Sequence, residues 1–356
     1  MNNIPMPTRR TALVAGLGSL ALLGACGERG RFFALPGASP AFHGLTMGSS
    51  YSVKIATRGL ADKTLAAAES AVTVALADVV ARMSHYDSAS EVSRLNRHPV
   101  GEPFVVSPAT LQVFAVAQEV RSASGGAFDV AVGKAVDEWG FGPSEKPRRV
   151  LSSSERQALQ RLQREGELTL DTRAGTLTRQ APVLANLSGI AKGYGVDRAA
   201  QALDALGIHD YLIEVGGEIR SRGRNGEGRP WQLAVERPDA MPQRALYVLP
   251  LDGQALATSG DYRNFFMHQG QRCSHEIDPA RAAPVGHALA SVSVVAGNCT
   301  RADAWSTALF VLGPEHGLAA ALRHGLAAYF VVRQPDGSFA EHPTPAFAAL
   351  GGRTVA

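Results

Sequence analysis

From Tyr51 to Val332 the apolar residues keep changing period, and this mixing limits the possible folds more than any other feature of the chain. Residues 51–56 alternate apolar with polar, as a half-buried strand does. Leu65, Val72, Leu76, Val79, Val80 and Met83 then recur at helical spacing. Ser107-Pro108 opens a second helix with an N-cap and a first-position proline. Leu111, Phe114 and Val120 lie on one face, and Gly125-Gly126 stands at its end. Short strands are expected at 168–170 and 176–178, after a charged, Gln-rich surface excursion over 143–165. The second half predicts helices over 192–206, 303–312 and 317–323. Strands are predicted over 211–215, 231–236, 256–258, 291–296 and 327–332. Strands and helices mix without a strict βαβ period, so the expected class is α+β rather than a doubly wound sheet. With 356 residues, 45% hydrophobic and 19% charged, the chain can bury one large core or two modest ones.

The 35 Lys plus Arg against 32 Asp plus Glu leave a formal charge of +3, too weak and dispersed for a phosphate-neutralising stripe, so nucleic acid is an unpromising partner. Three cysteines, Cys26, Cys273 and Cys299, make neither a disulfide framework nor a close-paired zinc site. Cys273 and Cys299 can pair after export or pack as small apolar thiols.

The N-terminus reads as an address. Arg9-Arg10 precede an apolar run, 11–23, too short to span a bilayer but right for a signal peptide. Residues 8–13 resemble a twin-arginine export signal, with Ala12 where Phe is usual; an ordinary secretory n-region is the alternative. Leu23-Gly24-Ala25-Cys26 looks like a lipobox, and an Ala-type cleavage beside an incidental Cys is the alternative. The expected organisation is a signal peptide over 1–25, a tether over 26–41, a catalytic domain over 42–340 and a C-terminal tail over 341–356.

Three motifs carry chemistry, each beside a plain structural alternative. Ser188 to Gly195 places glycines in a turn opening a helix, where free N–H groups and Lys192 favour an anion; a tight turn with a surface lysine is the alternative. Asp303 and Thr307 lie four apart on a helix, facing one side as Mg²⁺ would want, but Thr300-x-x-Asp303 also fits a capping box. His275-Glu276-Ile277-Asp278-Pro279 offers a proton acceptor beside acidic groups, or a solvated loop histidine.

Their joint order says more. Met47-Gly48-Ser49-Ser50-Tyr51-Ser52-Val53, Met83-Ser84-His85-Tyr86-Asp87 and Gly125-Gly126-Ala127-Phe128-Asp129 are followed by Ser188 to Lys192 and Val215-Gly216-Gly217-Glu218. Thr258-Ser259-Gly260-Asp261-Tyr262, Ser274 to Pro279 and Ala302-Asp303-Ala304-Trp305-Ser306-Thr307-Ala308 complete the series. From about Phe42 to Val332 the chain thus resembles the FAD:protein FMN transferases of the ApbE family, formerly called thiamine-biosynthesis lipoproteins.

The resemblance implies one two-lobed α+β domain, with mixed sheets, flanking helices and FAD in the cleft between the lobes. It implies Mg²⁺-dependent transfer of the FMN half of FAD to a Thr or Ser hydroxyl of a partner protein, with release of AMP. By motif match, flavin contacts fall on Met47, Tyr86, Ala127, Phe128, Asp129, Asn186, Lys192 and the Ile277 backbone. Metal ligands fall on the Gly189 carbonyl, Asp303 and Thr307, with the backbone near Ser306 as an addition. His275 matches the base for the acceptor hydroxyl.

Two departures stand out: Asn186 replaces a common Asp, losing a charge, and Ala282-Ala283 replaces a frequent Thr-Gly after Asp-Pro-x. The implied acceptors are membrane-bound electron-transfer subunits, including those of sodium pumps and nitrous-oxide respiration. The implied location is the periplasmic side of a bacterial membrane, anchored through lipidated Cys26. Two other functions fit the same residues: a Mg²⁺-dependent FAD pyrophosphatase, with water replacing the acceptor, and a non-catalytic flavin-binding lipoprotein or assembly factor.

Overall fold

The computed structural model describes residues 41–57, 59–239 and 244–355. The signal peptide, the lipobox with Cys26, and the tether up to residue 40 lie outside the described residues.

The chain opens with a hairpin, Phe42–Thr46 against Ser49–Ile55. Its two-residue turn, Met47-Gly48, has positive φ at both positions (50° and 69°), matching the twist of the flanking strands. Six further strands join it: Tyr211–Val215, Glu218–Arg222, Ala255–Gly260, Leu289–Ala296, Ala327–Arg333 and Phe339–Pro343. Each lies beside its predecessor in the chain, and every pairing is antiparallel.

Both faces of this eight-stranded sheet are covered. Tyr211, Ile213 and Val215 face the helices Asp62–Met83 and Ala191–Ala205, and Val292, Val294 and Phe330 face the helix Cys299–Arg323. Alternate residues Leu212, Leu256, Tyr329 and Val331 face the opposite way, onto the small sheet formed by Trp231–Glu236, Ala245–Leu251 and Arg353–Thr354. Burial on both faces explains why Tyr211–Val215 reads as a continuous apolar run around one glutamate. A smaller layer, Phe104–Val105, Leu168–Asp171 and Thr176–Arg179, packs with the helix Pro108–Ala123. Single-domain α+β architecture is thus observed.

Several expectations are refined. The second helix is capped by Ser107, whose hydroxyl accepts the Thr110 N–H, with Pro108 at its start. The two helices expected over 303–323 form one element, Cys299–Arg323, broken at Gly313 (φ 79°, ψ −175°) before Pro314. Within the excursion over 143–165, Ser153–Glu165 is helical. Ser152 and Glu155 form a capping box there, and no residue of the helix is buried. Cys273 and Cys299 are free thiols.

The expected tail, 341–356, belongs to the fold. Phe339–Pro343 closes the main sheet, Thr344 caps the short helix Pro345–Ala348, and Arg353–Thr354 pairs with Ala245–Leu251. Phe347 is fully buried against Tyr247 and Tyr329, with centroids at 5.5 and 5.0 Å. Phe347→Ala should therefore cost about 3–5 kcal/mol in urea unfolding, the range for emptying a buried aromatic site. A loss below about 1 kcal/mol would return this segment to the role of a tail.

Candidate functional site

Two helices bring the charged groups together. Lys192 lies in the first turn of Ala191–Ala205, just after the Ser188-Gly189-Ile190 turn. The helix Cys299–Arg323 crosses so closely that a Cβ on Gly193 would sit 2.3 Å from the Cys299 carbonyl oxygen and 2.8 Å from Asp303 Cβ. Glycine is needed there. The approach lets Asp303 Oδ2 accept the Gly193 N–H at 2.9 Å, a carboxylate seated on a helix N-terminus.

The capping-box alternative for Asp303 is corrected by this contact. Asn298 caps the helix by accepting the Arg301 N–H, and Asp197 accepts the N–H groups of Cys299 and Thr300 as well as the Thr300 hydroxyl. With its own helix start already satisfied, Asp303 faces a cleft of about 360 Å³. Thr307 lines the same cleft. Its Oγ1 lies 3.2 Å from Ser259 Oγ, which lies 3.0 Å from Ser306 Oγ; the Ser306 hydroxyl donates to the Asp303 carbonyl. A Cβ on Gly189 would lie 2.8 Å from Thr307 Oγ1, so the glycine lets its loop pack closely on that hydroxyl. Gly189, Asp303, Thr307 and Lys192, expected from far-apart segments, are therefore neighbours.

The cluster is acidic. Lys192 Nζ donates to Glu218, which is 2% exposed, as is Asp303. Burial pushes the carboxyls of Glu218, Asp303 and Glu276 above their ordinary range. Burial opposes the Lys192 charge, but Glu218 and Asp303 outweigh it and hold the ammonium above its usual range. The buried carboxyls of Glu218 and Asp303, with the partly buried Glu276, outnumber one ammonium and favour a further cation.

Most of the other expected residues line the same cleft. Ala127 and Phe128 follow the glycine pair after the helix Pro108–Ala123 and line the cleft with Asp129. Asp129 is held by Arg121 Nε at 3.0 Å, Gln163 Nε2 at 2.9 Å and the Ala131 N–H at 2.9 Å. Tyr86 stands at the mouth, 64% exposed, and donates to the Phe141 carbonyl at 3.1 Å. Asn186 Oδ1 accepts the Ser188 N–H at 2.9 Å, so the amide shapes the loop carrying Gly189. Ile277 is buried at the cleft edge. Ala282, one of the departures, adopts φ 48° and accepts the Trp139 indole N–H. Met47 does not join the wall: its side chain packs between two core clusters, against Gly195.

His275 stands at the foot of the hairpin Phe265–His268/Gln271–Ser274. Its Nδ1 lies 3.0 Å from the Asn264 carbonyl and its Nε2 lies 3.7 Å from Glu276 Oε1. A carbonyl only accepts, so Nδ1 carries the proton and a neutral ring keeps its Nε2 lone pair.

Sequence reasoning assigned no role to His85, Glu218, Ser259, Tyr262, Arg263 or Glu236, all of which line the cleft. Burial lowers His85 to about 4, so it stays neutral at neutral pH. His85, Glu218, Ser259 and Tyr262 lay within quoted motifs. Glu236 comes from the small sheet and had no local signal.

The family model described as the ApbE family matches residues 47–330. The chain belongs to the ApbE family. It is 38% identical to a Haemophilus influenzae protein named FAD:protein FMN transferase, over 95% of this chain and 98% of that one. A Vibrio cholerae protein of the same name is 39% identical, again over 95% and 98%. Among solved structures, the flavin transferase ApbE from Vibrio cholerae superposes with TM-score 0.78 at 36% identity, covering 88% of this chain and all of that one. The apo flavinyl transferase ApbE of Pseudomonas stutzeri gives 0.77 at 37%, covering 88% and 96%.

Proposed function

We propose that this ApbE-family flavin transferase moves the FMN moiety of FAD onto a Thr or Ser hydroxyl of a partner protein and releases AMP. The observation that carries this reading is the convergence of Lys192, Asp303, Thr307 and Gly189 on one side of a cleft that also holds His275. Phosphoryl transfer asks mainly for positioning and charge neutralisation, which such a cluster supplies without a covalent enzyme intermediate.

The donor set suits Mg²⁺: a buried carboxylate, a hydroxyl and a loop whose glycine makes close approach possible, inside an excess of negative charge. Asp303, Thr307 and the Gly189 carbonyl would hold the ion, and when bound it would neutralise pyrophosphate charge. Lys192, at a helix N-terminus, attracts the same phosphates. The Tyr86 and Phe128 side offers aromatic surface for the flavin.

Incubating the protein with FAD and Mg²⁺, with and without an acceptor flavoprotein domain, tests the reading. AMP and covalent flavin that appear only with acceptor are expected. AMP plus free FMN without acceptor would make the chain a pyrophosphatase, and binding without AMP would make it a flavin carrier.

The proposed setting is the periplasmic face of a bacterial membrane, with the acceptor a subunit of a membrane electron-transfer system such as nitrous-oxide respiration. Leu23-Gly24-Ala25-Cys26 and the twin arginines support it. Cys26→Ser should move the exported protein from the membrane pellet to the soluble fraction, since one removed lipid site abolishes the anchor. Exported variant that stays wholly with membranes would contradict the anchor.

A further inference from the structure

Glu218 follows the Gly216-Gly217 turn, opens the strand Glu218–Arg222 and lines the cleft. Its carboxylate is 2% exposed. Oε1 receives the Lys192 ammonium, whereas Oε2 is buried without a hydrogen-bond partner among the described residues. Native structures pair such atoms, so an orphaned acceptor at a cleft wall points to a donor delivered by a ligand.

We propose that Glu218 Oε2 accepts a hydrogen bond from an O–H or N–H group of bound FAD, making Glu218 a substrate-binding residue that sets the dinucleotide against Lys192. This rests on FAD being the substrate. Phosphate oxygens ionised at neutral pH only accept, and the carboxylate repels them, so the pyrophosphate takes the remaining donors of Lys192. Suitable donors are the ribityl hydroxyls and flavin imide of the FMN half, or the ribose hydroxyls and amine of the AMP half.

Glu218→Gln tests this while keeping the side-chain shape. Lys192 only donates, so the new amide turns its oxygen to Lys192 and presents its NH₂ where Oε2 stood. Donor then meets donor. In EDTA, fluorescence titration should show FAD binding about 10- to 100-fold more weakly, the scale of a lost hydrogen bond to a charged group. Riboflavin and adenosine, competed against FAD, carry the donors without phosphate. One of the two should lose affinity by a similar factor and the other should not.

If both nucleosides bind wild type and variant alike while FAD weakens, Glu218 serves only to hold Lys192 and the inference fails. If Mn²⁺ affinity, read by electron paramagnetic resonance without nucleotide, falls while both nucleosides are unaffected, Glu218 is a cation ligand and the inference also fails. Wild type that binds no FAD, with or without Mg²⁺, would overturn the substrate reading instead. Glu218→Asp, which withdraws the acceptor by one methylene, should reproduce the same nucleoside pattern if the Gln variant does not fold.

Discussion

Asp303→Asn should lower turnover by about 10²–10³-fold, the scale for losing one preorganised charge-stabilising group, while FAD affinity changes far less. The geometry separates the two effects. The asparagine oxygen can still accept the Gly193 N–H that Asp303 Oδ2 takes at 2.9 Å, so the crossing of the two helices is kept. Asn298 and Asp197 cap the helix independently of Asp303. What disappears is a buried negative charge one helical turn from Thr307, the feature that recruits a hard cation. Tyr86, Ala127 and Phe128, which line the cleft from other segments, are untouched. Turnover measured across a Mg²⁺ titration, beside FAD fluorescence, checks this. Wild-type turnover at low Mg²⁺ would show that the Asp303 carboxylate has only the structural task of joining two helices.

Elements with a strong apolar period were legible in the sequence. Tyr211–Val215 and Trp231–Glu236 fall where expected, because burial forces apolar residues onto those positions. The helix Ser153–Glu165 packs only Leu159 and Leu162 against the core, half-buried, a short stripe within a charged run; its clearest signal was the Ser152-x-x-Glu155 box. The short helices Glu91–Arg97 and Gly133–Glu138 span too few turns to show a period. The C-terminal segment was misjudged because one side chain, Phe347, supplies much of its burial.

The site divides in the same way. Asp303 and Thr307 could be paired from their spacing alone, since one helix relates them. Their closeness to Gly189 and Lys192 depends on a helix crossing that Gly193 allows and that no local pattern announces. The resemblance places Met47 at the flavin; it forms the hairpin turn with Gly48, and its side chain packs against Gly195.

His275→Asn should lower flavinylation by roughly 10²–10⁴-fold, the contribution of a general base, with FAD and Mg²⁺ affinity near wild type. AMP leaves as a phosphate already ionised at neutral pH and needs little acid help, whereas a Thr hydroxyl is a poor nucleophile until its proton is accepted. The ring is prepared for that task. Its Nδ1–H donates to the Asn264 carbonyl, which fixes the tautomer, and Nε2 stays free to accept. Glu276, 3.7 Å from Nε2, would stabilise the imidazolium that results. Asparagine can preserve the contact to Asn264 but takes up no proton. Flavinylation of wild type and variant, measured across pH beside FAD affinity, checks this. Two further groups, one in the cleft and one behind its wall, bear on the same profile. His85 is lowered to about 4 by burial, too low for a limb near neutrality. Glu214 is raised to about 7 by burial, and its carboxylate accepts the Gly217 N–H behind the cleft wall. A limb near neutrality that survives in His275→Asn would belong to a buried carboxyl, Glu214 or Glu218. Equal loss of FAD affinity and rate would make His275 a flavin contact rather than the base, and unchanged flavinylation would exclude it from the chemistry.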